Sequence, residues 1–291
     1  MQAYSIISFL TQLHSIYEVI NQEFSMIKQT GDILVAMLLV LAVGCDTSIR
    51  IIQQHNSTSS ITHTNGVLTI TLNGETPIEG SGKTAVADRI VEEFQHLHVC
   101  NAVEVVVDAE GLESATVEAD DNLLSLVETK VERGILRIGI KASLKTRNPL
   151  RVRVSAKRLE SLTAESSAKV ISEDLKGDNL VLSASSSGQI TANKVDATQL
   201  NVSVNSSGTV TASGLADRQT IEASSSGRYA GRQLVSRVSE VVCSSSASMV
   251  VHSTEEIRGS VTSSGKVRYS GNPSKIEIST NSSGSAQAAK D

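Results

Sequence analysis

Hydrophobic and polar positions in the C-terminal half of the chain alternate one by one, and the alternation restarts with a period near twenty. Each restart carries a short signature. The signatures are Glu-Ser-Ser-Ala ending at Ala168, Ser-Ser-Ser-Gly at Gly188, Asn-Ser-Ser-Gly at Gly208, Ser-Ser-Ser-Gly at Gly227, Ser-Ser-Ser-Ala at Ala247, Thr-Ser-Ser-Gly at Gly265 and Asn-Ser-Ser-Gly at Gly284. Successive spacings are 20, 20, 19, 20, 18 and 19. Six residues before each apex stand Leu162, Leu182, Val202, Ile221, Val241, Gly259 and Ile278. Four before stand Ala164, Ala184, Val204, Ala223, Cys243, Val261 and Thr280; two after stand Val170, Ile190, Val210, Tyr229, Met249, Val267 and Ala286. These offsets share one parity, so an extended chain points them to one face. The other parity is mostly polar, with Thr163, Ser183, Asn201, Ser203 and Glu222.

A strand-like repeat near twenty residues is too short for helical hairpins. It predicts an all-β fold, a single-stranded parallel β-helix with about 20 residues per coil and regular repeats over 159–288. Coils would stack ~4.8 Å apart, and right-handed winding is the default for parallel crossovers. Each coil buries its apolar columns only when neighbours cover it, so stability is shared along the axis. The paired serines are expected to build tight corners by bonding backbone, with positive φ at the apex glycine. Ala168 and Ala247 are then expected at φ below zero. Val103–Val107, Ile135–Ile140 and Leu150–Val154 also read as strands, and the same winding is extended back through them. The first coil or two are expected to be atypical.

Upstream, Ile33 to Val43 is an unbroken apolar run followed by Gly44 and Cys45. At about half the ~20 residues needed to span a bilayer, it matches the apolar region of a secretory signal. Gly44-Cys45 resembles the lipobox of bacterial lipoproteins. That resemblance implies cleavage before Cys45, lipidation of its thiol and anchoring to a membrane. Residues 1–25 hold no Lys or Arg but hold Glu18 and Glu23, so Met26-Ile27-Lys28 reads as the start and 1–25 as an upstream extension. Residues 1–44 are thus extension plus signal, 45–66 a polar tether, and 67–291 the β-helix domain.

Composition narrows the chemistry. Aromatics are 2% of the 291 residues and the net charge is −5. Few stacking faces and no long basic run argue against nucleic acid as a partner. Three cysteines, Cys45, Cys100 and Cys243, do not describe a disulfide scaffold, and Cys243 falls in an inward column as a small core residue.

Gly80-Ser-Gly-Lys-Thr84 looks like part of a phosphate loop, but Pro77 stands where the leading glycine is required. His96, His98 and Cys100 alternate, so one strand face could present a zinc or copper ligand set, although Phe94 shares their parity. Alternating polar residues on a strand are common, and no metal site is assigned. Asp120 and Asp121 read as a turn rather than as paired acids. No Gly-x-Ser-x-Gly elbow occurs, and no column of Asp, Lys or Arg recurs across the coils. No catalytic residue and no cofactor are expected.

Gly80-Ser-Gly82, Arg89-Ile-Val-Glu-Glu-Phe94, Asp121-Asn-Leu-Leu124, Gly134-Ile-Leu-Arg-Ile138 and the Ser-Ser-Gly corners follow in order. This set resembles the bacterial auto-transporter adhesin family with a head GIN domain, over roughly 78–288. The resemblance implies a β-helix shaped like pectin lyases without their catalytic residues, export as a lipoprotein, and adhesion. The expected protein is a non-enzymatic adhesin or scaffold of the cell envelope, facing periplasm or cell surface. Its expected partners are the membrane, through Cys45, and an envelope or surface partner; homo-oligomer formation fits the same pattern. The alternatives are a carbohydrate-active β-helix enzyme and an accessory to a membrane-linked sensor.

Overall fold

A computed structural model of the chain describes residues 59–108 and 111–289. The apolar run at 33–43, read above as a signal, and Cys45 lie outside these residues. The described chain is nearly all β and winds into a solenoid of about 6 turns with roughly 20 residues per turn.

The inward columns stack residue on residue. Leu182, Val202, Ile221, Val241, Gly259 and Ile278 are successive partners in parallel ladders, as are Val170, Ile190, Val210, Tyr229, Met249, Val267 and Ala286. The members from Leu162 to Val241 and from Val170 to Val267 are buried. In the coil at 275–288, Ile278 and Ala286 are partly buried and Thr280 is exposed. Each coil has a face before the serine corner, a face after it, and a third side with register shifts, as between Thr211 and Ser213. A few inward positions break the apolar rule, Gln219 being the largest in the later coils. Gln219 is fully buried, donates to Ser236 and Ser239, and accepts from the Tyr229 hydroxyl. Every polar atom in this knot has a partner, as burial requires.

The corners are tighter than the sequence implies, and their left-handed residues are the serines. Both serines of every copy have positive φ, from 50° and 65° at Ser166 and Ser167 to 48° and 67° at Ser282 and Ser283. Gly188 donates to the Ser185 carbonyl at 2.7 Å, and each corner repeats that bond. Two left-handed central residues under such a bond make a type I′ turn. None of the apex glycines has positive φ, which corrects the expectation placed on them; Ala168 and Ala247 also avoid it, as expected. The five glycine apices need glycine for space, whereas the corners at Ala168 and Ala247 hold a buried methyl. A Cβ at Gly188 would lie 2.1 Å from the Ala164 carbonyl oxygen, and one at Gly208 2.3 Å from that of Ala184.

Left-handed conformation costs a non-glycine residue roughly 1–2 kcal/mol. The ladder through the corners offsets part of it. Ser167 donates its N–H to the Ser186 carbonyl at 3.1 Å, Ser187 to Ser206 at 3.2 Å and Ser207 to Ser225 at 3.3 Å. The serines therefore line up in a file, joined by backbone bonds.

The N-terminal part differs from a simple backward extension of the winding. Residues 96–99 pair in parallel with 135–138 on one side and with 161–164 on the other. Residues 104–108 likewise lie between 151–155 and 169–172. The coil at 96–108 is thus inserted between two coils that follow it in sequence. Its corner is Cys100-Asn-Ala-Val103, with φ of 61° at Asn101 and 58° at Ala102, and Ala102 donates to the Ser166 carbonyl at 3.1 Å. It is the same corner built without serine. Antiparallel strands close this end: Thr84–Arg89 on Ser114–Asp120, and Val127–Glu132 on Ile135–Ile140.

Sheet structure also starts earlier than position 67. Ser60–Thr64 pairs antiparallel with Val67–Thr71 around Asn65-Gly66, whose φ values of 52° and 73° make a hairpin turn. The end of the stretch read as a tether is therefore strand.

Candidate functional site

The most densely functionalised surface lies on the pre-corner face of the first coils. Ladder pairing sets His96 beside Ser161, and His98 between Arg137 and Thr163. His96 Nδ1 lies 2.9 Å from Ser161 Oγ. Arg137 Nη1 donates to His98 Nδ1 at 2.9 Å, which leaves Nε2 as the protonated nitrogen, 3.2 Å from Glu165 Oε2. That histidine bond holds the Glu165 carboxyl below the usual carboxylate range, against the opposing effect of burial.

These groups do not form a catalytic relay. A nucleophile–base–acid chain needs one imidazole in the middle. Here the hydroxyl is bonded to His96 and the carboxylate to His98. Cys100 does not join them. The alternation ends at Val99, the chain turns at Asn101, and Cys100 is buried at 2% exposure. Among the described residues no group of three His, Cys, Asp or Glu side chains could hold a metal ion.

The remaining sequence candidates settle into structural roles. Asp120 is buried and accepts from Thr146 Oγ1 and Asn148 Nδ2, whereas its neighbour Asp121 accepts from Ser81 Oγ at 2.6 Å in the open. The two carboxyls diverge, as adjacent positions on a strand end must. The glycine-rich stretch at 80–84 packs on these acids, and a Cβ at Gly80 would meet Asp120 Oδ2 at 1.9 Å. Carboxylates at that place repel a phosphate. Cys243 is buried, its thiol 3.4 Å from the Ala247 carbonyl, and burial pushes the thiol pKa up. It is a core residue and a poor nucleophile.

Charge is distributed unevenly over the later coils. Arg237 pairs with Asp217 and Glu255, Arg258 with Glu240, and Lys275 with Glu256 and Glu277. All these partners lie on the pre-corner face or the third side. On the post-corner face Arg228 and Lys266 share one column with Lys169. The substitution of Gln189, Thr209 and Ser248 at the intervening coils hides that column in the sequence.

Stacked coils, a serine file and outward polar columns define a β-solenoid with an extended, repetitive surface. More narrowly, the chain belongs to the family described as "Putative auto-transporter adhesin, head GIN domain", whose model matches residues 93–273. It is similar in fold to a putative adhesin from Bacteroides fragilis (TM-score 0.65, 22% identity, 73% of this chain and 100% of the other). It is also similar to a putative lipid binding protein from Parabacteroides distasonis (0.62, 23%, 74% and 100%) and to a putative adhesin from Parabacteroides merdae (0.59, 18%, 73% and 99%). No curated protein matches.

Proposed function

We propose that the protein is an exported, lipid-anchored and non-enzymatic adhesin of the cell envelope, held to a membrane through Cys45. One observation carries this reading: the chain spends its sequence on columns that repeat outward positions from coil to coil. Such a rigid face binds an extended partner by many weak contacts rather than by one deep pocket. Membership of an adhesin family supports the same direction. The apolar run before Gly44-Cys45 supports the anchor, since several acyl chains bind a bilayer far more firmly than one.

The test has two arms. Cells fed an alkyne fatty acid label the wild-type chain, and Cys45→Ala abolishes the label and releases the protein from the membrane fraction. Persistent membrane attachment of the unlabelled variant contradicts the anchor. Cells lacking the protein adhere less to their surface or to each other; unchanged adherence, or cleavage of an offered polysaccharide by the purified chain, contradicts the adhesin.

A further inference from the structure

We infer that the post-corner face of the later coils is a binding strip for an acidic polysaccharide. The inference deepens the adhesin reading and rests on it for its biological setting, by naming the chemistry of the partner.

The chain carries net charge −5, yet among the described residues this face holds no acid over its last five coils. Between 205 and 289 the acids are Asp217, Glu222, Glu240, Glu255, Glu256 and Glu277. None falls in the stretches 205–212, 224–231, 244–251, 262–269 or 281–288, which make the corners and the post-corner face. The cations divide the same way. Arg237, Arg258 and Lys275 are tied to carboxylates. Arg228, Lys266 and Arg268 stand exposed on the acid-free face, and no carboxylate of the described residues pairs with them. Segregation leaves them available to an anion.

The shape favours a chain over a plane. Thr211, Ala230 and Val250 form the small-residue floor of a groove of about 600 Å³, edged by Arg232, Arg268 and Gln287. Arg228 and Lys266 lie two coils apart, ~9.6 Å, while Lys266 and Arg268 lie ~7 Å apart along one strand. These separations suit carboxylates on successive or alternate sugars of a polyuronate. The neutral positions of the Arg228–Lys266 column carry Thr209, Ser248 and Ser285, which hydrogen-bond sugar hydroxyls. A membrane surface would instead be met by projecting aromatic or aliphatic anchors, and the large exposed apolar residues, such as Leu215, Val242 and Ile276, are on the other sides.

The test uses the full chain and alginate as the probe, with neutral dextran and phosphatidylglycerol vesicles as comparators. The triple variant Arg228→Ser, Lys266→Ser, Arg268→Gln places in each column a residue that other coils already carry there, so the fold is kept; circular dichroism checks this. A second triple, Arg237→Gln, Arg258→Gln, Lys275→Gln, removes the same charge elsewhere. The wild type binds alginate with an affinity that falls as salt rises, the first triple loses at least tenfold, and the second loses less than threefold. Equal loss in both triples, no loss in the first, or vesicle binding as strong as alginate binding overturns the inference. If the first triple still supports adherence of cells that need the protein, the strip is wrong and the adhesin reading stands. If alginate binding follows the prediction but cells lacking the protein adhere normally, the strip stands and the adhesin reading falls.

Discussion

The coils after position 175 and the coils before it obey the same local rules but are assembled differently. In the later part each coil stacks on the one just made, so every ladder partner is about twenty residues away. In the earlier part residues 96–108 enter between 135–155 and 161–172. A coil of ordinary geometry can thus be placed by non-local order. Nothing in its own sequence needs to change except its partners, which is why a repeat search finds the first kind and misses the second.

The largest effect expected from this contrast comes from removing a coil. Deleting 189–208 joins Gly188 to Thr209 in register and leaves a shorter solenoid that still melts cooperatively, about 2–8 °C lower. Replacing 95–108 with a flexible linker removes the layer on which two other coils rest, and thermal melting by circular dichroism then shows no cooperative transition. Two similar melting curves would erase the distinction between the regions.

Corner substitutions come next. Gly208→Val forces a branched side chain against the Ala184 carbonyl, where even a Cβ would stand at 2.3 Å, and costs about 3 kcal/mol in chemical denaturation. Ala247→Gly, at a copy that already holds a buried methyl, costs ~1 kcal/mol. Ser206→Val puts a β-branched residue at φ 47° and loses about 1–2 kcal/mol, whereas Ser206→Asn is close to neutral because asparagine tolerates that conformation. If valine and asparagine behave alike there, the corners are not left-handed.

The smallest expected effect concerns pH. The folded carboxyl of Glu165 is held below its ordinary value of 4.5. Its contribution is therefore fully present above that value and is lost as pH falls through the lower folded value. The Glu165→Gln variant lacks that contribution, so it is less stable than the wild type at pH 7, loses stability less steeply on acidification below about pH 4.5, and converges on the wild type in acid. An identical acid limb in both proteins denies the His98–Glu165 bond a role in holding these coils together.

Much of this architecture is readable from the chain alone, for a physical reason. Side chains that stack coil on coil must recur at the coil period, and that recurrence exposes the inward columns and the serine file. What was hidden depended on partners or on backbone angles. Cys100-Asn-Ala-Val103 makes the corner without its usual letters, so the coil at 96–108 carries no signature. Asn65-Gly66 gives the hairpin plainly, but its polar surroundings read as tether. Serine in place of glycine as the left-handed residue reflects the ladder bond each second serine makes to the next coil, which local propensity does not contain. The histidine cluster shows the same limit. His96 and His98 share a face as the alternation predicts, but their partners Ser161, Glu165 and Arg137 come from neighbouring coils.

The order of coils is most directly tested by amide-to-amide nuclear Overhauser contacts in the deuterated full chain. Adjacent parallel strands lie ~4.8 Å apart and next-nearest ones ~9.6 Å. The inserted coil predicts contacts from the strand around His98 to those around both Arg137 and Thr163, with none between the strands of Arg137 and Thr163. Direct contact between those two outer strands, with His98 touching neither or only one, would contradict it.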